Sequence, residues 1–298
     1  MRQTDGSSGA CAHNASAFSR RFAPAFCVLL LFACLAPLSA AQAQFRTVDR
    51  AVIEARLRGF SRKNLEREAT LKSMFELSGC KDDKLSEQPV IHQKQPNLVC
   101  LLPGQTDKVI IVGAHVDKVM YGDGVADNWS GAALLPSLYY SLAGQQRQHT
   151  FLFIGFSAEE QMLAGSRDYV AKLTPEQKSR IVAMVNMDTL GLGPTEVWES
   201  HADQQLVSAI AGVARAMKIP LTGMNVDNVG TTDSEPFAKA GIPSITIHSL
   251  TQQTLQILHS DRDMLSAVRL DDYYASYRLI AGYLAYLDQP EKVETASP

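Results

Sequence analysis

The sequence carries no surplus of positive charge. Its 28 Lys and Arg stand against 31 Asp and Glu, a formal net charge of −3 at pH 7. That balance leaves no electrostatic footprint for nucleic acid or for an anionic membrane surface. Internal repeats and low-complexity blocks are absent, which excludes a repeat architecture. Cysteine is sparse at five residues, and Cys11, Cys27 and Cys34 all fall within the first 43 positions. The one long apolar run, FAPAFCVLLLFACLAPL, is too short for a membrane span, and the flank after it is too rich in small residues.

That run does fit a secretory signal over residues 1–43. Arg20 and Arg21 supply a positive region, and Ala41-Gln42-Ala43 supplies an A-x-A cleavage site. This reading makes the protein secreted or periplasmic, with no stable membrane association after cleavage. An uncleaved N-terminal anchor is the competing reading. Removing the segment takes away Arg2, Arg20 and Arg21 against Asp5 alone, so the remaining chain is more acidic. Residues 44–298 suffice for one domain with a large core. Cys80 and Cys100 stay behind, and an even pair in an exported chain suggests a disulfide, with two buried thiols as the alternative.

From Thr47 to about Leu77 the chain is charged and amphipathic, with Ile53, Leu57, Leu71 and Phe75 at mostly helical spacings. It reads as one or two helices on the domain edge, which gives an N-terminal helical segment over 44–85 and a main domain over 86–298. Residues 80–108 are polar and turn-rich apart from short apolar pieces such as NLVCLL. Then an alternation begins. VIIVGAH, TFLFIGF, IVAMVNMD and PSITIHS read as strands. Between and after them, SGAALLPSLYYSLA (interrupted or kinked near Pro136), SRDYVAKL, QQLVSAIAGVARAMK and DDYYASYRLIAGYLAYL read as helices. Apolar strands alternating with helices indicate a single-domain α/β sandwich of three layers, with a mixed, mostly parallel sheet covered on both faces.

In open α/β sheets, ligands collect beyond the carboxyl ends of the strands. His115 ends the first strand of the series, and Asp117, Asp123 and Asp127 follow it. Glu159-Glu160 follow TFLFIGF, and Asp188 ends IVAMVNMD. Singly these have bland readings: Asp127 an N-cap, Asp188 a turn residue, Glu159-Glu160 a solvated pair. Together they gather acids at one edge with almost no cations, and such acids repel one another and lose solvation. A metal cation offsets that cost. Imidazole and carboxylates without thiolate suit zinc, cobalt or manganese in a catalytic site. The excess of carboxylates points to two ions sharing a bridging carboxylate, about 3.5–4 Å apart in such sites. In His115-Val116-Asp117, Asp117 is placed to accept the second imidazole proton.

The segments AHVDKV, GVADNWSGAA, SAEEQMLAGS, VNMDTLG, GTTDSEPFAKAGIPSITI and ILHSDRD, in this order, resemble the co-catalytic zinc aminopeptidases of the aminopeptidase S, aminopeptidase Y and bacterial leucyl aminopeptidase type. Glutamate carboxypeptidase II and the animal glutaminyl cyclases are relatives in the same family. The likeness spans roughly residues 90 to 288. It implies a zinc-exopeptidase fold and two Zn2+ per chain. His115 and Asp188 would hold one ion, Glu160 and His259 the other, and Asp127 would bridge them. It further implies Glu159 as general base for a metal-bound hydroxide, Asp117 as the group that orients His115, and a cis peptide at Asp127-Asn128. Family members often read Ser-Asp-His-x-Pro-Phe where this chain has Thr232-Asp233-Ser234-Glu235-Pro236-Phe237, so Ser234 departs from the pattern.

His92, His149 and His201 lie in polar surroundings or at the opposite edge, which leaves His248 and His259 as contenders for the last ligand. The resemblance favours His259, with Asp261 and Asp263 close behind as hydrogen-bond acceptors. The acid excess suits a substrate with a free N-terminal amine. Arg167 and Arg262 are the only arginines in or beside these segments, so no clamp for a C-terminal carboxylate is evident. The expectation is therefore a secreted, zinc-dependent aminopeptidase acting on peptides with a free N-terminus. A carboxypeptidase or dipeptidase, a glutaminyl cyclase-like enzyme and a non-catalytic binding module are the alternatives. Neither side-chain specificity nor oligomeric state is legible.

Overall fold

In a computed structural model, residues 44–227 and 230–290 are described, and they belong to one compact unit. The signal segment expected at residues 1–43 lies outside the described residues. Among the described residues no helix is long and apolar enough to cross a membrane.

Two helices open the chain, α1 (Arg50–Arg58) and α2 (Asn64–Leu77). Strands β1 (Leu85–Gln88), β2 (Asn97–Leu102) and β3 (Val109–His115) follow, then helix α3 (Ser130–Ala143) and strand β4 (Thr150–Phe156). Helices α4 (Ala164–Lys172) and α5 (Pro175–Arg180) lead to β5 (Ile181–Met187) and β6 (Thr195–Val197). The chain closes through α6 (Gln204–Met217), β7 (Leu221–Gly223), α7 (Ser234–Lys239), β8 (Ser244–His248) and α8 (Leu270–Leu287). The eight strands form one sheet in the order β1-β2-β4-β3-β5-β8-β6-β7. Its centre, β4-β3-β5-β8, is parallel, while β1, β2 and β6 pair antiparallel with their inner neighbours.

The period-2 geometry of strands sorts side chains to two cores. Ile110, Val112 and Ala114 of β3, with Phe151 and Phe153 of β4, face a large cluster built with α1, α2, α3, α6 and α8. Ile111, Ile154 and Phe156 face a smaller cluster closed by Tyr169 and Val170 of α4 and Phe237 of α7. Helices on both faces of a mixed sheet are the three-layer arrangement expected. The N-terminal helices are integral to it, since Ile53, Leu57, Leu71 and Phe75 are all fully buried in the larger cluster.

Two details differ from expectation. The stretch 80–108 contains strands β1 and β2, which extend the sheet past β4. Helix α3 runs as one element through Pro136, with no interruption. Cys80 and Cys100, by contrast, behave as anticipated: they form a disulfide, Cα atoms 6.1 Å apart, joining the end of α2 to β2.

Candidate metal centre

Parallel strands β3, β4 and β5 all end at one edge, so the residues that follow them converge there. His115 is the last residue of β3. Its buried Nε2 lies 3.2 Å from Asp127 Oδ1 and 3.6 Å from Asp188 Oδ1. The other oxygen of the same carboxylate, Asp127 Oδ2, lies 3.2 Å from His259 Nε2, which in turn is 3.1 Å from Glu160 Oε2. Asp127 is thus shared between two imidazoles, one with Asp188 beside it and the other with Glu160. The donor atoms of His115, Asp127 and Glu160 form one group that could hold a metal, and those of His115, Glu159 and Asp188 form another.

The backbone that presents these groups is unusual and well tied. The Asp127-Asn128 peptide is cis. Asn128 Oδ1 accepts from the Gly131 and Thr189 amides at 3.0 and 3.2 Å, and its Nδ2 donates to Met187 O at 2.8 Å. This amide therefore fastens the start of α3 to the end of β5. Asp117 faces both His115 and the Glu159-Glu160 turn. Its carboxylate accepts from the Glu159 and Glu160 amides at 3.0 and 3.2 Å, while His115 Nδ1 sits 3.2 Å from Asp117 O and 3.7 Å from Asp117 Oδ1. The main-chain carbonyl and the carboxylate of Asp117 both face His115 Nδ1, the carbonyl nearer, and the carboxylate also fixes the Glu-Glu turn.

Asp263, anticipated as a partner for His259, instead accepts from the Ala126 and Asp127 amides at 2.7 and 3.0 Å. Asp261 likewise turns to the Gly122 amide, at 3.4 Å. Asp123 leaves the cluster for an ion pair with Arg62 at 2.5 Å. Two further residues were not singled out from sequence. Thr232 accepts from Asn186 Nδ2 at 2.6 Å and donates to Asp188 Oδ2 at 2.7 Å, a relay that holds the Asp188 carboxylate. Asp233 is fully buried, and neither carboxylate oxygen has a hydrogen-bond partner among the described residues. Their only sequence signal was membership of the GTTDSEPF segment. Ser234, the departure from the usual histidine, points into the fold and bonds Thr246 Oγ1 at 2.8 Å.

The two candidate histidines are separated by geometry. His248 is buried, its Nε2 set 3.0 Å from Met224 O and its Nδ1 accepting from the Leu250 amide at 3.0 Å, so both ring nitrogens are occupied. Burial pulls it down to about 4, which keeps it neutral. His259 is the one that meets Asp127 and Glu160.

The electrostatics bear on whether a cation fits. Burial pushes Glu159 up to about 10, and Asp233, Asp188 and Asp127 add to that against the pull of His115. Burial likewise raises Asp233 to about 7. Burial alone would also raise Asp127, but His115 and His259 outweigh it and hold that carboxyl far below its ordinary range. In the protein alone, protons and two imidazolium charges do the neutralising. The buried Glu160 Oε1 still has no hydrogen-bond partner among the described residues. A hard or borderline divalent cation would satisfy the same oxygens and nitrogens, so the donor set fits zinc.

Beside this centre a cavity of about 110 Å³ opens, walled by Trp198, Val226, Thr246, Leu250 and Leu258.

Residues 97–284 match Peptidase family M28. The chain belongs to that family. Among relatives, it is 32% identical over 150 residues to the leupeptin-inactivating enzyme 1 of Streptomyces exfoliatus, covering 49% of this chain and 34% of that protein. It is 30% identical over 145 residues to aminopeptidase YwaD of Bacillus subtilis, covering 46% and 31%. The matched stretch thus spans about a third of these curated relatives. Among solved structures, the LapA aminopeptidase of Legionella pneumophila aligns with a TM-score of 0.72 at 20% identity, over 82% of this chain and 73% of that one. A glutaminyl cyclase from an Acidobacteriales bacterium aligns with a TM-score of 0.69 at 18% identity, over 85% and 98%. At such identities the structural matches speak for the M28 fold alone.

Proposed function

We propose that this M28 chain is an exported, zinc-dependent aminopeptidase that removes the N-terminal residue from peptides. The observation that carries the reading is the Asp127 carboxylate, one oxygen on His115 and the other on His259, with Asp188 and Glu160 completing the two sides. In this reading His115 and Asp188 hold one zinc, Glu160 and His259 a second, and Asp127 both. Bound there, the ions supply an acidified water and a Lewis acid for the scissile carbonyl.

The chain's own groups do the rest. Glu159 adjoins Glu160 and is fixed through its amide to Asp117, so its carboxylate is free to accept a proton from the attacking water and return it to the departing amine. Thr232 keeps Asp188 oriented. The surrounding acids favour a substrate carrying a positive α-ammonium over one ending in a carboxylate. The wall of Trp198, Val226, Leu250 and Leu258 receives the first side chain and favours an apolar one. Export rests on the signal-like residues 1–43 and fits the Cys80–Cys100 disulfide.

A panel of aminoacyl anilides with varied first residues, their N-acetylated counterparts, peptides with free or amidated C-termini and a glutaminyl peptide tests this. Turnover of unblocked leucyl and related substrates, lost with a chelator and restored by zinc, is the expected result. Turnover of only the N-acylated substrates would replace the reading with a carboxypeptidase. Cyclisation of the glutaminyl peptide without anilide hydrolysis would favour the cyclase, whose fold this chain also matches.

A further inference from the structure

The backbone between His115 and Asp127 is gripped from a helix that lies outside the stretch matched to the family, residues 97–284. Arg67 of α2 is fully buried. Its Nε donates to Val116 O at 2.5 Å, its Nη2 to Gly124 O at 3.0 Å, and its Nη1 to Asp123 O and Ser61 O at 3.3 Å each. All four acceptors are main-chain carbonyls, and three of them lie between the candidate ligands His115 and Asp127. One turn earlier, Asn64 pairs with the Lys118 backbone like a second peptide group, both contacts at 3.2 Å. The guanidinium also lies 5.2 Å from the ring centre of Trp129, whose Nε1 donates to Arg56 O of α1 at 3.0 Å.

A buried cation without a carboxylate in hydrogen-bond contact is costly unless a field stabilises it. Here the field comes from Asp117, Asp263, Asp127 and Glu160, each of which favours the charged form. Burial draws Arg67 down to about 10, still charged at neutral pH. A planar fork with five donors can span Val116 and Gly124 at once, and an ammonium cannot.

We propose that Arg67 is a positioning residue of the metal centre: its guanidinium fixes the loop that carries His115, Asp117 and Asp127 and sets a permanent positive charge behind the acids. The N-terminal helices are then a part of the site, not a cover over it. This rests on reading those side chains as zinc ligands.

The test compares Arg67→Met, Arg67→Lys and Asn64→Ala with Leu71→Ala, a core change on the same helix, all in the full chain. Zinc affinity is read by competition with a chromogenic chelator. Hydrogen exchange of the Asp123, Ala126 and Asp127 amides is read in the metal-free protein, so one readout needs neither zinc nor turnover. Arg67→Met is expected to weaken zinc by about 10- to 100-fold, Asn64→Ala by less, with Arg67→Lys between them. Loop exchange should rise by about tenfold in Arg67→Met while the central strands keep their protection. Leu71→Ala should lower the melting temperature yet leave zinc affinity within about twofold. If Arg67→Met does not fold, Arg67→Lys and Asn64→Ala decide by the same readouts. Unchanged zinc affinity and loop exchange in the folded variants overturn the proposal, as does an equal zinc loss in Leu71→Ala. A parent chain that binds zinc but cleaves no peptide sinks the proposed activity and leaves this inference standing.

Discussion

Burial moves Glu159 and His248 in opposite senses, because it disfavours whichever form is charged. Glu159 is driven up to about 10 in the metal-free chain, so it enters the folded state protonated. In the proposed reading, divalent cations beside it would reverse that bias and free the carboxylate for proton transfer. Glu159→Gln keeps the shape and removes the proposed base, and should lower kcat on the order of 10²- to 10⁴-fold with zinc content unchanged by metal analysis. Loss of zinc along with activity would instead make Glu159 a ligand. His248 gives the pH-dependent case. Its folded value of about 4 lies below the ordinary 6.5, so the unfolded chain takes up the proton first as pH falls. Its neutral form therefore contributes about 3 kcal/mol at pH 7, lost progressively between about pH 6.5 and 4. In His248→Asn the difference in urea stability from the parent should shrink across that window; a constant difference contradicts it. His115, Asp127, Glu160 and Asp188 stood out in the sequence because strand ends followed by His, Asp or Glu form a repeated pattern, whereas the choice of the loop residue His259 over His248 came from the family resemblance. The supports were not legible. Asp263, Thr232 and Asn128 each reach a partner 44 to 137 residues away, and no local spacing announces such a pairing.

At the level of elements, the buried parallel strands and their long helices declared themselves through apolar runs and helical periodicity. The short strands towards the two edges of the sheet did not. Leu85–Gln88 is polar and largely unburied, and Thr195–Val197 and Leu221–Gly223 are three residues each, too short to show a period. Helix α3 was expected to be interrupted or kinked near Pro136; it runs as one element, and the residue lies in a wholly buried stretch between β3 and α8, where tertiary packing overrides the local penalty. The disulfide belongs to this scale as well, because it joins the end of α2 to β2 across a 20-residue separation. Loop-closure entropy for a ring of that size corresponds to about 3 kcal/mol. The double variant Cys80→Ser, Cys100→Ser should therefore unfold at clearly lower denaturant while folding to the same sheet. Equal denaturation midpoints for the two proteins would show that the crosslink contributes nothing to stability. If α2 also holds the metal loop through Arg67, the same variant should raise amide exchange there, since its anchor at one end has been cut.

For the whole molecule, the site is a local concession within a well-packed fold. Two apolar cores hold the sheet from both sides. Between the carboxyl ends of its parallel strands they hold in place Asp117, Asp127, Glu159, Glu160, Asp188 and Asp233, a set that repels itself. In the absence of a metal the cluster must stay partly protonated, as Glu159 and Asp233 show, and folding has to supply the energy of that concentration. A ligand that binds only the folded chain stabilises it by mass action, about 2.7 kcal/mol per site at a hundredfold excess over Kd. For a domain of this size each kcal/mol is worth about 2–4 °C. Saturating zinc should accordingly raise the melting temperature by about 5–10 °C per occupied site, and a chelator should take the gain away. The rise should be larger at pH 8 than at pH 6, because the cation competes with protons for the same oxygens and nitrogens. A calorimetric scan with and without zinc at both pH values measures this directly. A folded chain whose melting temperature ignores zinc at either pH would mean that protons and imidazolium charges alone reconcile these acids, and the M28 fold would here be carrying the shape of a metal centre without its ions.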